Sequence, residues 1–473
     1  MNLIHLSGDQ CAHTAMTARW QFIFLLIWTT VSTALAELPT ETTAVELGSD
    51  IEALTTELAA LRARVEELEL DRDQPALDMH AFQNECNCSV YCSTKDGNFC
   101  ANFGGRVELD WLWASADENV ETAVGAIEDG IFFRRARLHG AGTLYNIIDY
   151  YAEFEFAPVD NIVFQDVWMQ LRDVPWLGHI RAGHLKVPFG LENETSARHL
   201  TFLERSAVHD AFQQEYDPGI MIWNTVLDDD VRFAAAFLRF DPRESGQAFG
   251  DGEYSFASRL SGAVWHNDDD TSLLHLGASY RRNAAASNSA AGFRGFQFRA
   301  RPEIRKTPRF VDTQFFAADH TDFVGLEAAI VWGRFSVQGE FVQAFVQDAD
   351  VASAIDDLDA KGYYVAASYF LSGEHRTYSR PNGGFGRITP NKDVSPSDGV
   401  GMLFDGAWEA KARYANVDLS EFEGGSLETI TLGLNWYLVP HSKILIDYIL
   451  ANRQAVTDSG RAHLLGVRFN VEF

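Results

Sequence analysis

From Phe103 to Phe473 apolar and polar residues alternate with a period of two, in segments of about ten residues. The last segment shows the beat: Leu465, Val467, Phe469, Val471 and Phe473 alternate with Gly466, Arg468, Asn470 and Glu472. In Trp408–Tyr414 the odd positions are Glu409, Lys411 and Arg413, and Tyr150, Ala152, Phe154 and Phe156 run against Tyr151, Glu153 and Glu155. Successive side chains of a strand point to opposite faces. Each segment therefore has one apolar and one charged face, as a strand needs with lipid outside and water inside. A soluble sandwich would alternate too, but an aromatic final residue on an exported chain favours a barrel. Sixteen such segments centre near residues 109, 136, 152, 168, 182, 223, 236, 259, 277, 327, 340, 366, 411, 433, 446 and 467. They predict an all-β fold, a transmembrane antiparallel β-barrel of about 16 strands over residues 103–473.

The connections sort by parity. One group is short: Tyr145 to Ile147, Val174 to Leu177, Asp228 to Asp230, His266 to Asp270, Gly333-Arg334 and Val439 to His441. The other is long: 188–218, 241–253, 284–321 and 346–360. Short periplasmic turns and long outer loops are the outer-membrane pattern, with the N-terminus periplasmic. The stretch 372–404 is the exception, long but on the short-turn side.

Before the barrel the pattern changes. Trp20 to Val31 is apolar, follows Arg19 and leads to Ala34-Leu35-Ala36, so residues 1–36 read as a signal peptide cleaved after Ala36, with Met16 an alternative start. Leu47, Ile51, Leu54, Leu58, Leu61, Val65 and Leu68 are spaced four and three in turn, the seam of a coiled coil within 37–74. Glu57 with Arg62, and Arg64 with Glu69, are opposite-charge pairs at the offset that supports a parallel oligomer. Pro75 ends this short helix, and a linker over 75–102 carries Cys86, Cys88, Cys92 and Cys100. An even, clustered set in an oxidising compartment reads first as two disulfides with three possible pairings, and second as a metal knuckle of unfamiliar spacing.

The chain has 473 residues, 38 Lys+Arg and 67 Asp+Glu, for a net charge of −29. Such a polyanion repels nucleic acid. No apolar run after residue 40 approaches the ~20 residues of a transmembrane helix. Enzyme signatures are absent: there is no H-E-x-x-H, P-loop or G-x-S-x-G, and no cofactor or metal site is expected. Asp357-Leu-Asp-Ala-Lys-Gly362 starts like a calcium loop but has Lys361 where a ligand belongs.

Selectivity of a pore follows local rather than total charge. From Arg281 to Arg309 the chain holds Arg281, Arg282, Arg294, Arg299, Arg301, Arg305, Lys306 and Arg309 against the single acid Glu303. Arg135, Arg137 and His139 share one face of the second strand, away from Phe132, Ala136 and Leu138, and are expected to face water as part of an arginine ladder. The alternatives are a solvated loop binding acidic polysaccharide, and Arg134 and Arg135 snorkelling at the membrane edge.

Phe132-Phe-Arg-Arg-Ala-Arg-Leu138, Arg181-Ala-Gly-His-Leu-Lys-Val-Pro-Phe-Gly190, Leu200-Thr-Phe-Leu-Glu-Arg205, Gly433-Leu-Asn-Trp-Tyr437 and Gly466-Val-Arg-Phe-Asn-Val-Glu-Phe473, in this order, resemble the phosphate-selective porin O/P family over roughly residues 103–473. The resemblance implies a sixteen-stranded trimeric barrel with loops folded into the lumen, basic residues lining an anion-selective channel, and a long periplasmic turn that enters the pore. The expected anion-binding, pore-lining residues are Arg135, Arg137, Lys186, Arg294, Arg299, Arg301, Arg305, Lys306 and Arg309, with Arg198, Arg205, Arg376, Arg380, Arg387 and Lys392 as weaker candidates. The function implied is a passive outer-membrane channel for small anions such as phosphate or polyphosphate. Its partners are those anions, outer-membrane lipids, two further copies in a homotrimer, and the cell wall through the coiled coil. The net charge suggests a general or cation-preferring porin as the alternative, and the coiled coil a structural tether.

Overall fold

A computed structural model describes residues 90–158, 161–213, 215–239, 254–284, 295–455 and 458–473. The signal segment, the heptads, Cys86, Cys88 and Arg294 lie outside these residues. The chain divides into two units, and Tyr91–Cys100 belongs to the smaller. There the Asp96 carboxylate accepts hydrogen bonds from the Thr94 hydroxyl and from the backbone and side chain of Asn98.

Sixteen strands, in the larger unit from Ala101 onward, make the barrel: β1 (Phe99–Ala116), β2 (Gly130–Leu144), β3 (Ile148–Glu155), β4 (Val163–Val174), β5 (Gly178–Lys186), β6 (Tyr216–Val226), β7 (Val231–Arg239) and β8 (Tyr254–His266) in the first half. The second half holds β9 (Ser272–Ala284), β10 (His320–Trp332), β11 (Phe335–Val351), β12 (Ala354–Phe370), β13 (Ala407–Asp418), β14 (Ser426–Val439), β15 (Ser442–Gln454) and β16 (Gly460–Glu472). Neighbours in sequence pair along the whole series, and β16 returns to pair antiparallel with β1, Asp110 opposite Arg468. These sixteen strands thereby form a closed barrel, in which none of them is left an edge to be satisfied in lipid. All sixteen expected centres fall inside these strands.

The faces are inverted relative to a soluble protein. Leu432 is 53% exposed on the outside, whereas Arg468 is 3% exposed inside, and Glu409, Lys411 and Arg413 are all buried. A charge stays inside because the outer face offers only hydrocarbon. One expectation about the interior fails, however. Towards the end where the long loops lie, Leu427, Ile449, Leu464, Val342 and Val417 point inward and are fully buried, together with Phe298, Phe310, Phe316 and Phe422. The lumen there is a packed apolar core rather than water, because loops fill it.

The expected long loop 346–360 is also overturned. β11 and β12, 17 residues each, run through it and turn at Ala352-Ser353, both with positive φ (51° and 66°), the geometry of a tight hairpin. Ala349 pairs with Asp356 and Asp350 with Ile355. Where a ribbon rises beyond the lipid both faces are wet, so its aspartates do not break the strand. The segment 371–406 does lie on the short-turn side, as expected.

Two glycines fit the large inward loop between β5 and β6. Gly190, at its entry, has φ +77°, and a Cβ there would lie 2.5 Å from Glu340 Oε2. Gly362, on the wall, leaves room for Phe212 and Val208 of the loop helix, which a Cβ would meet at 3.0 and 3.3 Å.

Candidate functional site: a basic vestibule under in-folded loops

The loop between β5 and β6 carries α1 (Leu191–Glu194), a turn at Ala197–His199 and α2 (Ala207–Phe212), whose N-cap Ser206 accepts from His209 N–H. It lies inside the barrel, held by polar groups of the wall. Glu340 accepts the N–H groups of Leu191 (3.0 Å) and Glu192 (2.7 Å). Asp447 accepts Leu203 N–H at 2.8 Å and pairs with Lys411 at 2.6 Å. Lys411 donates to the Thr201 carbonyl, and Lys186 to that of Asn193, both at 2.7 Å. Arg413 joins the loop to the next one, reaching Glu192 (3.3 Å) and Glu303 (2.7 Å). Burial pushes the Glu192 carboxyl up, against Arg413 and the two hydrogen bonds from Ser206.

The second inward segment, 295–319, packs on α2 through Phe298 and Phe212, ring centroids 5.5 Å apart. A short ladder, Arg299 opposite Asp312, stiffens it. Between these loops and β2 to β4 opens a cavity of about 710 Å³. Nine basic side chains line it, Arg134, Arg137, Arg205, Arg281, Arg299, Arg301, Arg305, Lys306 and Arg309, against five acids, Glu155, Glu204, Asp210, Glu215 and Glu303.

The basic residues differ in what they already hold. Arg309 pairs with Asp210, and Arg301 lies 3.9 Å from it. Burial, and after it the adjacent Arg309, lowers the Arg301 pKa. Arg205 pairs with Glu215 and donates to the Glu192 and Thr195 carbonyls. Arg134 makes a bidentate bond to Glu204 at 2.5 and 2.7 Å. Burial opposes the Glu204 charge, yet Arg134, Arg135 and Arg468 hold its carboxyl well below the usual range. Arg299, Arg305 and Lys306 are exposed and have no ion pair among the described residues; Lys306 lies 6.0 Å over the Phe132 ring.

The predicted residues therefore separate. Arg299, Arg301, Arg305, Lys306 and Arg309 come together on the vestibule. Arg135 and Arg137 point inward, but into carboxylates rather than open water: Arg135 meets Glu108 at 2.6 Å, and Arg137 meets Glu155 at 2.6 Å and Glu153 at 3.0 Å. Only Arg137 reaches the vestibule. Lys186 is buried against the loop backbone and borders a smaller cavity with Arg106, Tyr216 and Arg198. In the 371–406 segment, Arg376 stacks on Phe385 at 3.5 Å, Arg380 pairs with Asp230 at 2.9 Å, Arg387 with Glu472 at 2.7 Å, and Lys392 with Asp405 at 2.7 Å. The alternative that Arg134 and Arg135 snorkel at the membrane edge fails, since Arg134 lines the vestibule on Glu204 and Arg135 is buried on Glu108; Asp210, Glu204 and Glu215 are the lining residues that no local pattern marks.

A closed barrel with charges inside, apolar side chains outside and loops folded into its lumen defines the class: an outer-membrane channel, a porin. The chain belongs to the family described as phosphate-selective porin O and P, whose model matches residues 102–473. It is similar to Porin O of Pseudomonas aeruginosa, 27% identical over 409 residues that cover 78% of this chain and 86% of that one. Among solved structures it is similar to an anion-selective porin from Comamonas acidovorans (13% identity, TM-score 0.49). It is also similar to an OmpT of Vibrio cholerae lacking loop L8 (10% identity, TM-score 0.47). In each case 79% of this chain and 99% of the other are covered.

Proposed function

We propose that the pore passes small anions down their gradient and prefers phosphate, which it gathers in the vestibule under the long loops. The observation that carries this reading is the local excess of nine basic over five acidic side chains in a chain of net charge −29. Arginine forks offer paired hydrogen bonds to phosphate oxygens, and several weak stations in series let the ion leave again. Arg299, Arg305 and Lys306 are the residues with charge to offer; Arg301 and Arg309, sharing Asp210, contribute less. Arg294 belongs to the same run. Arg135 and Lys186 hold the wall and the loop in place, and Arg137 borders the passage below. The family's phosphate-selective members and the kinship to Porin O support the same anion.

In this reading the short turns and the N-terminus face the periplasm, a signal peptide over 1–36 is removed, and the heptads of 37–74 help three copies associate and touch the cell wall. The test is the zero-current potential of the purified protein in a planar bilayer under a KCl gradient. A potential of anion sign, with current blocked by added phosphate, is expected. Cation selectivity indifferent to phosphate would refute the proposal in favour of a general porin.

A further inference from the structure

Where the in-folded loop, the 371–406 segment and the β14–β15 turn meet, a cavity of about 20 Å³ is lined by His199, Arg387, Ile388, His441, Lys443 and Asn470, among others. That is room for a small occupant such as a water or a monoatomic ion. His199 is 8% exposed, and neither of its ring nitrogens has a hydrogen-bond partner among the described residues. An orphaned buried donor and acceptor is rare in a folded protein and asks for an occupant. Burial, then the cations Arg387, Lys443 and Arg198, holds this imidazole neutral, its pKa well below 6.5.

Charge bookkeeping around the cavity points to the kind of occupant. Arg387 is matched by Glu472 at 2.7 Å, and Arg198 by Glu153 at 3.1 Å. Lys443 has no partner of that kind in contact; Glu472, Glu108 and Glu409 act on its charge only from beyond ion-pair reach. Its ammonium is 7% exposed and donates to the carbonyls of Arg198 (3.0 Å) and Leu200 (2.9 Å), dipoles rather than charges, with no carboxylate in ion-pair reach among the described residues. A buried cation without a counter-charge in contact is unfavourable, and so is an imidazole N–H without an acceptor. One particle removes both defects if it is negative and monoatomic.

We propose that this cavity holds a resident chloride, accepting the His199 N–H and balancing Lys443, and that it pins the 371–406 segment to the in-folded loop. Water in the same place would satisfy His199 but leave the Lys443 charge standing. The site does not depend on which anion the vestibule prefers, since its occupant is structural and lies away from the vestibule.

The mature, detergent-purified protein tests this with bromide as the probe. Crystals soaked in sodium bromide are expected to show an anomalous peak between His199 and Lys443; water-like density without a peak there overturns the proposal, even if bromide is seen in the vestibule. In solution, the thermal midpoint is expected to rise with the logarithm of chloride concentration relative to gluconate at equal ionic strength. Lys443→Met should abolish that difference. If this variant does not fold, as judged by loss of heat-modifiable migration, His199→Leu is compared in the same way. Equal midpoints in chloride and gluconate for the unmodified protein also overturn the proposal.

Discussion

Replacing Arg299, Arg305 and Lys306 together by Gln removes three vestibule charges that no carboxylate of the described residues neutralises. The cavity of about 710 Å³ is equivalent to a sphere of about 5.5 Å radius, so an anion at its centre lies about that far from each charge. In water each charge then contributes about 0.75 kcal/mol, and screening over a Debye length of ~10 Å in 0.1 M salt reduces this to about 0.4 kcal/mol. Three charges amount to about 1.3 kcal/mol, close to a tenfold loss of chloride from the vestibule. The energy doubles for a dianion such as hydrogen phosphate. At 1 M salt, where the Debye length is ~3 Å, the loss shrinks to less than about twofold. The assay is the zero-current potential and the half-blocking phosphate concentration in bilayers at both salts. A change below twofold at 0.1 M, or an equal change at 1 M, would refute the assignment of selectivity to these side chains.

Other predictions address the loop that makes the vestibule. Arg413→Ala leaves Glu192 and Glu303 buried without their cation, and should cost roughly 3–5 kcal/mol of barrel stability, read as a lower denaturant midpoint. Gly190→Ala forces a side chain into a conformation open almost only to glycine, at a cost of about 1–3 kcal/mol, and should make the loop sensitive to protease while the barrel persists. Because the Glu192 pKa is raised on folding, its contribution is fully present below the ordinary value of 4.5 and is lost as pH rises through the folded value. Thermal stability followed from pH 4 to 8 should therefore fall less steeply in Glu192→Gln; an unchanged slope counts against the assignment. If the heptads support self-association, changing Ile51, Leu58 and Val65 to Asp should weaken the oligomer on native gels, and an undiminished oligomer would discount them.

Much of the architecture is legible because lipid imposes a strict rule on one face of every strand. The alternation around Arg468 or Lys411 gives strand and facing at once. It misleads where lipid is absent: Asp348, Asp350, Asp356 and Asp357 look like a loop, yet stand on a hairpin wet on both sides. It is silent about what fills the lumen, so Leu464 beside Leu465 carries no hint that one packs against in-folded loops and the other against hydrocarbon. For the site, the clustering of Arg299 to Arg309 is local and can be read directly. The partners of Arg135 and Arg137 are not local. Glu108 and Glu155 come from neighbouring strands, and only the register, Arg137 opposite Glu155, reveals the neutralisation. The same holds for Asp210, which sits 91 positions before Arg301 and still accepts its backbone N–H at 2.8 Å.

Arg468 bears on how such a molecule is assembled. From the final strand it grips Asp110 on the first, at 2.7 and 2.8 Å, and at the same time Glu204 and the Leu203 carbonyl of the inward loop. The stitch that shuts the cylinder is thus also a fastening on its contents. A chain that zipped its two ends together with the loop still outside would lack two of the partners of this guanidinium, and a seam so weakened reopens more readily. One side chain thus ties the closure of the cylinder to its filling, and the seam is held by the full set of these bonds only when the loop is inside.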